Sequence, residues 1–277
     1  MFIAPTATNK YLNAAYDYIA SNIGGVYLIM GLLTLAFLLF LAFSRHGNIK
    51  LGKEHEEPEY GTFGWSSMLF CAGIGASLVL YGSTEWVDYY LKPPFDAVSG
   101  SRESIEWAST YGMFHWGITG WAIYCFPAVA IGYNYHVKGA SSLKASTGCE
   151  AVFGSSENHF LARLIDLVYM IALVGVLGAG LGLTSPVVSA TITEFFSIEQ
   201  SLAITISCLL LCLVIYSIST YFGLEKGIQK LSKFCAYLAF LVLMYILIFG
   251  PTSYILETSF QSVLFMGENF LKMSLGP

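Results

Sequence analysis

The chain has 277 residues, of which 56% are hydrophobic and only 11% are charged. Its mean hydropathy is +0.64 and its formal net charge is −5. A soluble globular domain carries about 25% charged residues, so this composition excludes a soluble enzyme and a disordered regulator. A nucleic-acid binder needs a basic surface and is excluded as well. We therefore expect an all-α integral membrane protein.

Six segments match a membrane-spanning helix, which needs about 20 mostly apolar residues. In chain order they are residues 24–43 (segment A), 64–91 (B), 111–135 (C), 164–190 (D), 202–222 (E) and 233–250 (F). A seventh stretch, residues 254–273, alternates apolar residues with Glu257, Gln261, Glu268 and Lys272. This pattern is typical of an amphipathic helix at the membrane interface.

Lysine and arginine are distributed unequally between the loops. The A–B, C–D and E–F loops hold nine of them and the opposite side holds four. The positive-inside rule therefore predicts that these three loops are cytoplasmic. The N-terminus then lies outside, without a signal peptide, so we expect a further span before residue 1 and more protein after Pro277. The alternative is a small complete protein of six spans.

Segment B carries Gly73, Gly75 and Ser77 near its middle, with Ile74 among them. Glycine frees the backbone, and transporters use broken helices at membrane depth to offer carbonyls and amides to solutes and ions. Small residues also permit a close crossing of two helices. Segment B alone leaves both interpretations open.

Segment C carries an aromatic pattern. At 100° per residue, Trp116, Trp121 and Tyr124 fall at about 0°, 140° and 80°, so a continuous helix presents them on one face. Such a face can form a cage for a quaternary ammonium group, which is attracted to ring faces. The alternatives are an interfacial aromatic belt and ordinary core packing. His115 points to the opposite side, as a packing or hydrogen-bonding residue.

Other chemical signals are weaker. Glu85, Asp88 and Asp166 are ionisable residues at the ends of spans, where a functional role is one interpretation. Gly178 and Gly182 have the spacing of a tight helix crossing. The sequence shows no metal-binding cysteine pattern, no Ser-His-Asp arrangement and no HExxH motif, so we expect neither an enzyme nor a cofactor.

Four stretches in the same order give the chain a resemblance to the betaine/carnitine/choline transporter family. They are Gly73–Ser77 followed by Tyr81-Gly-x-x-Glu85 in segment B, His115-Trp-Gly-x-x-x-Trp121-Ala-x-Tyr124 in C, Gly180-Leu-Gly-Leu in D and Gly223-x-x-Lys226-Gly227 between E and F. The resemblance runs from about residue 12 to the end and corresponds to helices two to seven of the family's twelve.

The resemblance implies a fold and an assembly. The chain is expected to form the first half of a five-plus-five inverted-repeat secondary-transporter fold, with six transmembrane helices plus an interfacial helix. Residues 1–277 then form a single, incomplete transporter domain. Within it, residues 64–250 are the first five-helix repeat, 24–43 are a peripheral helix, and 254–273 resemble the family's trimer-contact helix. The implied location is the plasma (inner) membrane, with the lipid bilayer and a homotrimer as partners and no nucleic acid.

The resemblance also implies a site and a function. Trp116, Trp121 and Tyr124 match the family's ammonium cage. The glycine stretch adds Gly73, Ile74, Gly75 and Ser77 to the substrate site, and backbone carbonyls near Cys71 and Ile74 match positions that contribute to a sodium site. The implied activity is secondary active transport of betaine, carnitine or choline by alternating access, with Na⁺ as a possible coupling ion.

The sequence departs from the family at several positions, and these departures point in opposite directions on whether transport is coupled to sodium. The family's Trp-x-Trp-Trp helix, which closes the cage, is expected beyond Pro277. Cys235 stands where sodium-independent exchangers have an arginine, which favours ion coupling. Gly178-Ala179-Gly180 lacks the hydroxyl groups that sodium-coupled carriers tend to have, which weakens the case for a second sodium site. The alternative functions are a membrane scaffold or osmosensor of the same fold; a pore would need a row of polar side chains.

Overall fold

The computed structural model describes residues 5–73, 75–153 and 160–276, and every regular element within these ranges is helical. The α-helices are α1 (Pro5–Phe43), α2 (Thr62–Gly73), α3 (Gly75–Leu91), α4 (Arg102–Trp116), α5 (Ile118–His136), α6 (Glu150–Phe153), α7 (Phe160–Phe196), α8 (Leu202–Tyr221), α9 (Gln229–Phe249) and α10 (Thr252–Leu275). Short 3₁₀ turns cover Arg45–Asn48 and Ala145–Cys149, and Leu224–Ile228 forms a π-helical turn.

Five helical stretches of the described residues are long and apolar enough to cross a membrane. They are Thr8–Phe43, Arg102–His136, Phe160–Phe196, Leu202–Tyr221 and Gln229–Phe249. At most 11% of the most apolar window of each stretch is buried inside the chain. Most side chains in these windows therefore face outward, which is the arrangement that lipid as solvent requires. The predicted class of all-α membrane protein is confirmed.

The predicted segments match the helices unequally. Segment D lies in α7, and segments E and F match α8 and α9 to within one residue at their C-terminal ends. Segment A forms the C-terminal part of α1, which begins at Pro5, so the helix extends beyond the predicted span and the start of that span remains a prediction. Segment B is divided into α2 and α3, of 12 and 17 residues. Each is shorter than a spanning helix needs to be, so segment B as a sixth crossing remains a prediction.

The core lies where α3, α4 and α10 meet. Trp107, Tyr111 and Phe114 on α4 are buried together with Met273 on α10. Lys272, the residue before Met273, places its ammonium group 5.2 Å from the centroid of the Trp107 ring. The apolar face of the amphipathic segment 254–273 therefore packs on α4, while its predicted position at the membrane interface stays a prediction.

Three further helix pairs of the described residues pack through identified side chains. Their contacts are Phe63–Tyr237 between α2 and α9 (ring centroids 4.9 Å apart), Phe37–Phe126 between α1 and α5 (5.8 Å) and Ser189–Thr205 between α7 and α8 (hydroxyl oxygens 3.0 Å apart). The tight crossing predicted at Gly178 and Gly182 is not formed among the described residues, because a Cβ added at either glycine would meet nothing within 4 Å.

Asp166 has a structural partner. Its two carboxylate oxygens accept hydrogen bonds from the Ser146 backbone N–H and hydroxyl, each at 2.9 Å. The Asn134 side-chain amide donates to the Thr147 carbonyl at 2.7 Å. Asp166 and Asn134 thus hold the 3₁₀ turn between α5 and α6, so the contacts of Asp166 are those of a loop anchor.

Gly223 begins the connection between α8 and α9. Its φ of 78° and ψ of −177° lie in a region that essentially only glycine occupies, at a cost of about 1–3 kcal/mol for other residues. We expect Gly223→Ala to lower the free energy of unfolding by that amount, measured as thermal unfolding in detergent. The control is Gly24→Ala on α1, where an added Cβ meets nothing within 4 Å. An equal loss in both variants would contradict the strained conformation.

Candidate binding site

Segment C is interrupted in the middle of its aromatic motif. α4 ends at Trp116, and Gly117 has a φ of −94° and a ψ of −139°, far from helical values, before α5 begins at Ile118. A Cβ at Gly117 would collide with the Met113 carbonyl oxygen, so glycine permits this sharp break. The prediction that Trp116, Trp121 and Tyr124 share one face of a continuous helix was therefore wrong, because it assumed an unbroken helix.

Trp121 and Tyr124 form an aromatic pair on the first turns of α5. Their ring centroids are 5.9 Å apart and their planes are inclined by 47°. The Tyr124 side chain is well exposed, at 60% for the residue, so one side of the pair is open. Two ring faces at such an angle can attract a cation.

Gly73, the last residue of α2, lies against the indole ring of Trp121. A Cβ added at Gly73 would come within 2.9 Å of Trp121 Cη2 and within 3.4 Å of two further ring atoms. The absence of a side chain therefore allows α2 to reach the ring. The structure thus brings together three predicted site residues, Gly73, Trp121 and Tyr124.

Trp116 belongs to a second cluster, between α3 and α4. Its ring stacks on Tyr81 with centroids 6.0 Å apart, and its indole N–H donates to Glu85 Oε2 at 2.8 Å. The other Glu85 oxygen lies 2.6 Å from Nδ1 of His115. A pocket of about 540 Å³ opens beside this cluster, lined by Tyr81, Glu85, Trp86 and Trp116 among others.

The remaining predicted site residues are described less fully. Ile74 lies outside the described residues, and for Gly75 and Ser77 the structure gives only a helical backbone in α3. The Cys71 thiol donates to the Ser232 carbonyl on α9 at 3.7 Å. No group of three or more His, Cys, Asp or Glu among the described residues could hold a metal ion.

Sequence reasoning gave Tyr81 no role and named Glu85 only as a candidate at the end of a span. Tyr81 and Glu85 are four residues apart, so they share one face of α3. That spacing could have been read from the Tyr-Gly-x-x-Glu stretch. Their partners, His115 and Trp116, lie 30 and more residues further along the chain, and only the packing of α3 on α4 reveals them.

The fold and the candidate site define a polytopic helical membrane protein. In it the end of α2 lies against an aromatic pair on α5, one ring of which is exposed, just after the break between α4 and α5. The chain belongs to the family described as "BCCT, betaine/carnitine/choline family transporter", whose profile it matches over residues 1–276. The resemblance to this family that the sequence motifs indicate is confirmed.

Several curated relatives have about one third of their residues identical to this chain. It is 33% identical to the carnitine transporter of Acinetobacter baumannii over 248 residues, which are 90% of this chain and 45% of the relative. It is 32% identical to the glycine betaine transporter OpuD of Bacillus subtilis over 272 residues, 98% of this chain and 53% of the relative. The osmo-independent choline transporter BetT1 of Acinetobacter baylyi is 32% identical over 243 residues, 86% of this chain and 45% of the relative. The chain spans about half the length of these relatives.

Proposed function

We propose that the protein is a secondary transporter of a quaternary-ammonium compound such as betaine, carnitine or choline. The observation that carries the proposal is the aromatic pair Trp121–Tyr124, packed on Gly73 where α2 ends and open on the Tyr124 side. Family membership and the printed substrates of its relatives support the same function. The family consists of transporters, and no enzymatic role is proposed.

The ammonium head is held by ring faces. A trimethylammonium group has no N–H to donate, so its recognition depends on the attraction between its positive charge and aromatic quadrupoles, about 2 kcal/mol or more for a desolvated ring. Trp121 supplies the ring that Gly73 contacts, and Tyr124 supplies the ring next to it. Trp116 contributes from the end of α4, across the break at Gly117. Ile74, Gly75 and Ser77 belong to the same site through the glycine stretch.

A sodium ion is the proposed coupling ion. The last carbonyl groups of a helix lack intrahelical donors, and Cys71 lies two residues before the end of α2. Its carbonyl and that of Ile74 are the proposed ligands. Oxygen ligands suit such a hard cation, whereas the Cys71 thiol is engaged by α9.

The remaining proposals concern the architecture. Residues 64–250 act as one five-helix repeat, with 24–43 at its periphery and 254–273 as the contact of a homotrimer. The protein works in the plasma membrane with the A–B, C–D and E–F loops in the cytoplasm. Transport follows alternating access, in which helices at the site rock against the rest of the bundle.

Ligand titration of the purified full-length protein tests the function. Betaine, carnitine and choline are added with and without sodium, and tryptophan fluorescence is recorded. We expect saturable quenching by at least one compound and none by 3,3-dimethylbutanol, the uncharged isostere of choline. Quenching that depends on sodium would support sodium as the coupling ion. No response to the three ammonium compounds would overturn the proposal and favour a scaffold or osmosensor of the same fold.

A further inference from the structure

One carboxylate between α3 and α4 has both oxygens engaged by consecutive residues. Glu85 Oε1 lies 2.6 Å from His115 Nδ1, and Oε2 accepts the Trp116 indole N–H at 2.8 Å. The Glu85 side chain is only 16% exposed. His115 and Trp116 are the last two residues of α4. Glu85 therefore contacts the C-terminal end of that helix directly before the break at Gly117.

Burial of this carboxylate costs free energy unless hydrogen bonds compensate for its lost hydration. An ionisable side chain that is only 16% exposed loses much of its hydration and persists only with partners. The hydrogen bonds from His115 and Trp116 offset that loss, because bonds to a charged acceptor are stronger than neutral ones. Both oxygens of Glu85 are therefore engaged by residues of α4. This favours a role for Glu85 in orienting the Trp116 ring over direct binding of the cation.

The Trp116 ring is held from two directions. Tyr81 lies against its face with ring planes 27° apart, and Glu85, one turn further along α3, fixes its N–H edge. The break at Gly117 separates Trp116 from the helix that carries Trp121 and Tyr124. Its orientation therefore depends on α3, since α5 does not continue the helix that carries it.

We infer that Glu85 is a positioning residue for Trp116. It sets the orientation of the indole, with His115 as a second point of attachment, and thereby raises the affinity of the site for the ammonium group. The inference rests on the proposed function and goes beyond it by assigning a role to a residue outside the cage. Tyr81 stacks on the face of the Trp116 ring, and the hydrogen bond to Glu85 fixes the rotation of the ring in that plane.

The chain offers a matched control on α4. Glu103 accepts the indole N–H of Trp107 at 3.2 Å, so it makes the same kind of bond away from the proposed cage. We expect Glu85→Ala to raise the Kd for the ammonium compound that the unmodified protein binds by about tenfold. Glu85→Gln keeps an oxygen that can accept the N–H, so it should raise Kd only a few-fold. Glu103→Ala should leave Kd unchanged, even where it lowers thermal stability.

A double-mutant cycle separates positioning from general stability. Trp116→Phe keeps a ring on Tyr81 and removes the N–H, so Glu85→Ala should change Kd much less in that background than in the unmodified protein. Isothermal titration calorimetry on the folded protein measures all four Kd values. Glu85→Met, which keeps volume but cannot accept two hydrogen bonds, replaces the alanine variant if alanine prevents folding.

The outcomes distinguish the two proposals. If the unmodified protein binds none of the ammonium compounds, the proposed function fails. If the unmodified protein binds one of them and the folded Glu85→Ala or Glu85→Met variant keeps the same Kd, the positioning role is overturned. Equal effects of Glu85→Ala in the unmodified protein and in the Trp116→Phe variant would overturn it as well.

Discussion

Replacement of Trp121 by alanine is expected to raise the Kd for the proposed ammonium substrate about 30-fold. A desolvated cation–π contact contributes about 2 kcal/mol, and 1.4 kcal/mol corresponds to a factor of ten in Kd. Trp121, on α5, contacts Gly73 at the end of α2, and its ring centroid lies 5.9 Å from that of Tyr124. Isothermal titration calorimetry on the purified protein measures the change.

Two further variants at this position separate the cation–π contact from packing. Trp121→Leu keeps an apolar side chain without a ring, so it should weaken binding nearly as much as alanine. Trp121→Phe keeps a weaker ring and should cost only a few-fold in Kd. Trp65→Ala removes an exposed indole from the start of α2 and serves as the control, with unchanged affinity expected. Equal affinity of the leucine and phenylalanine variants would contradict recognition by ring electrostatics.

The membrane class and the helices α7, α8 and α9 follow from composition and the length of apolar runs, which are local properties. The break at Gly117 could not be obtained in that way. A helical wheel gives the angular positions of side chains only where the helix is continuous. Segment C contains Gly117, where the helix is broken and a side chain would have no room. The aromatic residues of the candidate site can thus be proposed from the sequence, whereas their division between α4 and α5 cannot.

The roles of the acidic residues show a second limit. Glu85 and Asp166 look alike in sequence, because each lies near the end of an apolar segment. Packing separates them: Asp166 holds the Ser146 turn, and Glu85 holds the end of α4. Such pairings depend on which helices become neighbours, so no local pattern reveals them.

Gly73→Ala is expected to weaken ammonium binding by an amount similar to the loss of the Trp121 ring. The added methyl group would lie 2.9 Å from Trp121 Cη2, closer than carbon atoms approach in folded proteins. The indole must then move, and its inclination toward Tyr124 changes with it. A displaced ring loses much of an attraction that depends on the cation lying over the ring face. Calorimetric Kd values for the two single variants test this equivalence.

Gly64→Ala provides the control for this prediction on the same helix. Its methyl group would meet the Gln229 side-chain amide at 2.6 Å, so it creates a comparable collision against α9 and none against Trp121. We expect it to reduce stability without changing Kd. The double variant Gly73→Ala/Trp121→Phe removes the ring atoms that the methyl group would strike, so adding Gly73→Ala to Trp121→Phe should cost little. If the two substitutions act additively on Kd, Gly73 does not act through the ring, because residues in direct contact are expected to be coupled.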